Sequence, residues 1–99
     1  MKANISIQIL PNRQDDRETV RIVDAVIDYI RSTGLNYYVG PTETSIEGDD
    51  LHQLVEILEH CMYVAAEAGS HKVSGYVKLN YTPEGSVLTI EEKVAKHHN

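Results

Sequence analysis

Hydrophobic and polar residues alternate near the start of the chain in the way that a half-buried strand requires. Ile5, Ile7 and Ile9 fall on one side of this stretch, and Ser6 and Gln8 fall on the other. Three further runs also read as strands: two short ones on either side of a Gly-Pro turn, and a long alternating one in the last third of the chain. The pattern predicts four strands, at residues 4–10, 35–39, 42–47 and 72–81.

Between these strands, apolar residues recur at the three- and four-residue spacing of amphipathic helices. Asp15 is a good N-cap for the first helix, and Gly34 stands where a left-handed residue that ends a helix belongs. A short third helix is expected near the end of the chain, with Thr89 as its cap and Glu92 as the capping-box partner. The two long helices are predicted at residues 16–33 and 50–68.

The predicted elements follow the order strand, helix, strand, strand, helix, strand. This order packs two helices on one face of a four-stranded antiparallel sheet, because right-handed crossovers return each helix to the same side. The expected fold is an α+β, ferredoxin-like βαββαβ two-layer sandwich with a short C-terminal element, formed by residues 1–99 as a single domain. Since this fold hosts many functions, it does not by itself indicate one.

Composition and charge exclude several functions that this fold can carry. A net charge of −6 disfavours nucleic acid as a partner, because phosphate contacts need a basic face. The single cysteine, Cys61, rules out a Cys-x-x-Cys metal loop, and its place on the apolar side of the second helix predicts a buried thiol. We expect neither a metal nor a cofactor.

No run is long and apolar enough to span a membrane, and no signal segment precedes the first strand, so a cytoplasmic protein is expected.

The face of the sheet that points away from the helices carries the candidate chemistry. In the ferredoxin-like strand order the first and third strands are neighbours, so Gln8 should lie close to Glu43 and Ser45. Together these side chains offer an amide, a carboxylate and a hydroxyl, which suits a flat nitrogen heterocycle such as an aminopyrimidine. A tyrosine could stack on such a ring, and the candidates are Tyr37, Tyr38 and Tyr76. The same face could equally be a wet sheet surface or a subunit interface.

Four segments of the chain resemble the MTH1187/YkoF-like thiamine-binding family, which is also called UPF0045 or DUF77. They are residues 6–11, 32–37, 40–48 and 89–94, and the similarity runs essentially from end to end. The resemblance implies a ferredoxin-like domain that binds thiamine or its hydroxymethylpyrimidine moiety without catalysis. It also implies a homo-oligomer, with a homotetramer built as a dimer of dimers as the expected assembly.

The resemblance further indicates which residues bind the ligand. It points to Gln8 on the first strand and to Thr44, with its neighbours Glu43 and Ser45, on the third. By the alternation of the strands, Thr44 points to the face opposite Gln8, so a bulge intervenes or only one of the two touches the ligand. The acidic chain suits the thiamine cation better than its diphosphate.

Two other functions remain open at this stage. The tyrosines and the open sheet face are compatible with a structural or regulatory module that works only by oligomerising. A small enzyme is the third possibility, with Glu43 as acid or base and His52 or His60 as further candidates.

Overall fold

A single antiparallel sheet organises the chain, as seen in a computed structural model that describes residues 1–12 and 15–97. The elements in chain order are β1 (Ala3–Pro11), α1 (Asp16–Ser32), β2 (Asn36–Val39), β3 (Thr44–Gly48), α2 (Leu51–Glu67), β4 (Val73–Tyr81) and α3 (Ile90–Val94), followed by a 3₁₀ turn at Ala95–His97. The strand order is β2-β3-β1-β4, which places β1 in the centre. This order confirms the ferredoxin-like arrangement that the sequence predicts.

The apolar residues of β1 form the middle of the core. Ala3, Ile5, Ile7 and Ile9 are all buried beneath α1 and α2. The helices contribute Ile22, Val26 and Ile30 from α1, and Leu54, Ile57, Cys61 and Ala65 from α2. The predicted burial of Cys61 is confirmed, and burial raises the pKa of its thiol to about 12.

The predicted helix ends are confirmed by their caps. The Glu18 N–H donates to the Asp15 carboxylate over 2.8 Å, which begins α1, and Gly34 follows its end with a φ of 77°. At α3, the Thr89 hydroxyl accepts from the Glu92 N–H and the Glu92 side chain accepts from the Thr89 N–H, so the expected capping box forms.

The third strand begins two residues later than the alternation suggests. Residues Gly40 and Glu43 close a turn in which the Gly40 N–H donates to the Glu43 carbonyl oxygen over 2.9 Å. A side chain at Gly40 would place its Cβ 2.9 Å from the same oxygen, so glycine is required there. As a result, the ladder between β1 and β3 ends at the pair Ile7–Thr44, while β1 itself continues to Pro11.

The segment after β4 folds back onto the face of the sheet that α1 and α2 leave open. The Ile90 N–H donates to Glu47 Oε2 over 2.7 Å, and Asn36 Nδ2 donates to Glu47 Oε1 over 2.7 Å. Glu47 is therefore only 4% exposed, although its place in β3 predicts a side chain on an open polar face. The start of this segment is held by the N-terminal residue, because the Val87 N–H donates to the Met1 carbonyl oxygen.

We expect Glu47→Gln to lower the free energy of unfolding by about 1–3 kcal/mol. Both carboxyl oxygens accept from N–H donors, whereas glutamine has to turn an amide NH₂ group toward one of those donors. Urea denaturation measures the difference. Glu59→Gln, at an exposed position on α2, is the matched control and should change stability by less than about 0.5 kcal/mol. Equal stability of the two variants would contradict the role of Glu47 in holding the C-terminal segment against the sheet.

Candidate ligand-binding site

A cavity of about 260 Å³ opens where the ladder between β1 and β3 ends. We call it the ladder-end cavity. The end of β1 forms one wall, the turn between β2 and β3 forms a second, and α1 forms the floor. Its apolar lining comprises Ile7, Ile9, Leu10, Val23, Val26, Ile27, Ile30, Val39 and Pro41, and its other lining residues are Gln8, Thr19, Gly40, Thr42, Glu43 and Thr44.

Among the polar residues that line this cavity, Thr44 is the most buried. Thr44 is 7% exposed and pairs across the ladder with Ile7, whose side chain faces the helices. Within the described part of the chain, the Thr44 hydroxyl and the Gln8 amide make no hydrogen bond with another side chain or with the backbone. No fully buried side-chain nitrogen or oxygen of the described residues lacks a hydrogen-bond partner, so the Thr44 hydroxyl is reached by solvent, and a polar ligand can bind it in place of water.

A second depression of about 380 Å³ lies on the open face at the same end of the sheet. We call it the open-face basin, and its lining residues are Gln8, Thr42, Glu43, Tyr76, Val77 and Lys78. Lys78 Nζ lies 3.5 Å from Glu43 Oε1, but the Lys78 side chain is largely exposed, so this ion pair contributes little stability. The lining of the basin is more polar than that of the ladder-end cavity, which is mostly apolar.

The structure brings only part of the predicted set together. Gln8 and Glu43 line both the cavity and the basin, and Thr44 lines the cavity alone. Ser45 lies on the open face, where its hydroxyl is 3.0 Å from that of Ser6. Tyr37 pairs with Ile46 on the helix side, and its hydroxyl accepts from Arg31 Nε over 3.1 Å at the far edge of the sheet.

Helix α1 contributes lining residues that the sequence did not single out. Thr19, Val23 and Ile27 lie between the buried residues of α1 and the solvent, and they form the floor of the cavity. Their helical spacing marks them as apolar-face residues, but not as residues under a gap in the sheet. The useful signal is the Gly40-Pro41 turn, because an early turn shortens β3 and uncovers this part of α1.

The histidines considered as partners for Glu43 lie elsewhere. His60 Nδ1 is 3.1 Å from the Tyr29 hydroxyl in a separate depression between α1 and α2, and His52 contacts Glu56 on the exposed side of α2. Neither histidine lines the cavity or the basin. Within residues 1–12 and 15–97, no cluster of three His, Cys, Asp or Glu residues could hold a metal ion. Nor does any helix of this part of the chain have the length and apolarity of a membrane span.

Comparisons with known proteins agree with the fold and identify the family. The chain is 42% identical over 94 residues to UPF0045 protein CPE1503 of Clostridium perfringens, and the match covers 95% of each chain. A solved structure of a DUF77 domain from Bacillus cereus is similar with a TM-score of 0.84 at 29% identity, covering 100% of this chain and 92% of that one.

A crystal structure from Thermotoga maritima is also similar, with a TM-score of 0.83 at 26% identity, covering 99% of this chain and 100% of that one. That protein, TM0486, is named as a candidate thiamine biosynthesis or salvage protein. Residues 5–98 match the model of the family described as "Thiamine-binding protein", a name that refers to binding and to no reaction. The chain therefore belongs to the thiamine-binding protein family, UPF0045 or DUF77.

Proposed function

We propose that this protein binds thiamine or its hydroxymethylpyrimidine moiety in the ladder-end cavity and catalyses no reaction on it. The observation that carries the proposal is the cavity itself, which has mostly apolar walls and a Thr44 hydroxyl without a protein partner among the described residues. A concave apolar site with a few convergent polar groups is the usual form of a small-molecule site. The family to which the chain belongs supports the choice of ligand.

The size of the cavity favours one ring of the ligand over two. Its volume of about 260 Å³ lies below the range of about 300–1,000 Å³ in which drug-sized ligands bind. In our proposal the pyrimidine ring occupies the cavity between the side chains of α1 and the end of β1. The thiazolium half then extends toward Glu43, whose carboxylate favours a cation. This arrangement disfavours thiamine diphosphate, as does the net charge of −6.

Among the described residues, Glu43 is the only titratable side chain that lines the cavity, which is why a binding role is proposed and an enzymatic one is not. The carboxylate of Glu43 lies beside Lys78, and neither His52 nor His60 lines the cavity. A role in thiamine or precursor handling follows from ligand binding alone. The cytoplasmic location expected from the sequence stays a prediction.

We further propose that the protein acts as a homo-oligomer, in which the subunits contact each other through β4. This strand lies at the edge of the sheet and pairs with β1, and among residues 1–12 and 15–97 no strand pairs with the backbone groups on its other side. Val77, Leu79 and Tyr81 face the helix side but are exposed, because α2 packs only over the start of β4. Two copies that pair along β4 would satisfy both features, and two such dimers would form the expected tetramer.

We expect Thr44→Val to weaken the binding of hydroxymethylpyrimidine by about tenfold, because it removes the hydroxyl and keeps the shape of the side chain. Isothermal titration calorimetry measures the affinity, and the thermal shift of the folded state gives a second readout. Ser45→Ala is the matched control. It removes a hydroxyl from the next residue, which points to the open face, and should leave the affinity unchanged.

The opposite result, in which Ser45→Ala weakens binding and Thr44→Val does not, would move the site to the open face. Absence of any heat or thermal shift with thiamine and with hydroxymethylpyrimidine would contradict the proposed function as a whole.

Light scattering tests the assembly. The unmodified protein should have four times the mass of the 11.1 kDa chain, and Leu79→Lys should reduce that mass by placing a charge in the β4 interface. Val20→Lys changes an exposed apolar residue on α1, away from β4, and should leave the mass unchanged. A monomeric unmodified protein, or an effect of Val20→Lys equal to that of Leu79→Lys, would contradict assembly through β4.

A further inference from the structure

The peptide group of Ile9 lies at the point where the ladder stops, and its orientation suggests how a ligand in the cavity is recognised. We propose that the N–H and C=O of Ile9 bind the amino-substituted edge of the pyrimidine ring by two parallel hydrogen bonds, as the next strand residue would. This inference rests on the proposed function, since it concerns the same cavity and the same ligand. It assigns recognition to the backbone of β1, which no side-chain pattern could indicate.

The direction of each peptide group along β1 follows from two hydrogen bonds at the ends of the strand. The Thr82 N–H donates to the Lys2 carbonyl oxygen over 2.8 Å, and the Asn12 N–H donates to the Lys72 carbonyl oxygen over 3.1 Å. Even-numbered residues of β1 therefore direct their peptide groups toward the β4 side. Because successive residues of a strand alternate in this respect, the odd-numbered residues direct theirs toward β3.

Ile9 is the first odd-numbered residue beyond the last pair of the ladder. Ile7 pairs with Thr44, and the same register would pair Ile9 with Thr42. Thr42 instead belongs to the turn that Gly40 and Glu43 close, and it does not pair with Ile9. The N–H and C=O of Ile9 thus face the gap without a strand partner. Pro11, the next odd-numbered residue, has no N–H, so Ile9 carries the last donor on this side of β1.

The gap is also the place where the two concavities meet. Ile9 and Thr42 line the ladder-end cavity, while Gln8, Thr42 and Glu43 line both that cavity and the open-face basin. Ile9 is 8% exposed, so its peptide group lies in a shielded environment where an unmade hydrogen bond costs more than at the surface. A ligand that completes both bonds therefore gains affinity at this position.

The chemistry of a 4-aminopyrimidine matches this peptide edge. Its ring nitrogen next to the amino-substituted carbon accepts a hydrogen bond, and the neighbouring amino group donates one. Placed in the plane of the sheet, the ring can accept from the Ile9 N–H and donate to the Ile9 C=O, which is the pattern by which an added strand pairs with a sheet edge. One face of the ring then lies against the apolar side chains of α1, including Val23 and Ile27.

Two pyrimidines that differ at one edge test the inference. The first is hydroxymethylpyrimidine with its 4-amino group, and the second is the corresponding 4-oxo compound, whose ring N–H and carbonyl oxygen reverse the donor and the acceptor. We expect the 4-oxo compound to bind at least about tenfold more weakly by calorimetry. Its ring N–H would face the Ile9 N–H, and its carbonyl oxygen would face the Ile9 C=O, so neither hydrogen bond could form. In the ¹⁵N-labelled protein, the amide proton of Ile9 should shift downfield with the 4-amino compound, and the paired amide of Ile7 should move less.

The protein side is tested by Ile9→Pro, which removes this N–H without taking a hydrogen bond from the ladder with β4. It should lose at least about tenfold in affinity, whereas Ile9→Val, which keeps the N–H, should retain binding. If Ile9→Pro does not fold, the two pyrimidines and the Ile9 amide proton still decide the question.

Equal affinity for the two pyrimidines, or an unmoved Ile9 amide proton at saturation with the 4-amino compound, would overturn the inference and leave the proposed function standing. If neither thiamine nor the 4-amino compound binds, the proposed function fails and the inference fails with it.

Discussion

The candidate site depends on one constraint, which is the early end of the pairing between β1 and β3. The turn from Gly40 to Glu43 closes by a hydrogen bond of 2.9 Å, and Gly40 has no room for a side chain. Thr42 therefore cannot continue the ladder, and β1 runs on past its partner. Side chains of α1 that a longer β3 would have covered remain open to the gap. A small shift in where two strands part thus produces a cavity without any insertion or long loop.

Within the described residues, one end of the open sheet face is covered and the other is exposed. At one end the C-terminal segment covers the sheet, and the Glu47 carboxylate holds it by accepting from the Ile90 N–H and from Asn36. At the other end, beside Gln8 and Glu43, nothing in residues 1–12 and 15–97 covers the surface. A buried carboxylate with both oxygens hydrogen-bonded fixes one orientation of α3. On the open face, the end of the sheet that carries the gap is therefore the end that this segment leaves uncovered.

Much of the fold could be predicted from the sequence, because alternation and helical spacing report directly on burial. The isoleucines of β1, the caps at Asp15 and Thr89 and the central position of β1 were all predicted and are confirmed. The site was less accessible. Alternation shows which face a residue takes, but it does not show where pairing stops, so the gap at Ile9 could be inferred only from the Gly40-Pro41 turn. Burial of Glu47 was equally hidden, because it depends on a contact with Ile90, which lies 43 residues later in the chain. The predicted ligand-binding residues stay a prediction.

The crystal structure of the protein with hydroxymethylpyrimidine tests the central claim most directly. We expect the ring to lie in the gap between Ile9 and Thr42, in the plane of the sheet, with one face on α1 and the Thr44 hydroxyl within hydrogen-bond distance. A ring bound on the open face, against Tyr76 and Lys78 and away from Thr44, would contradict it.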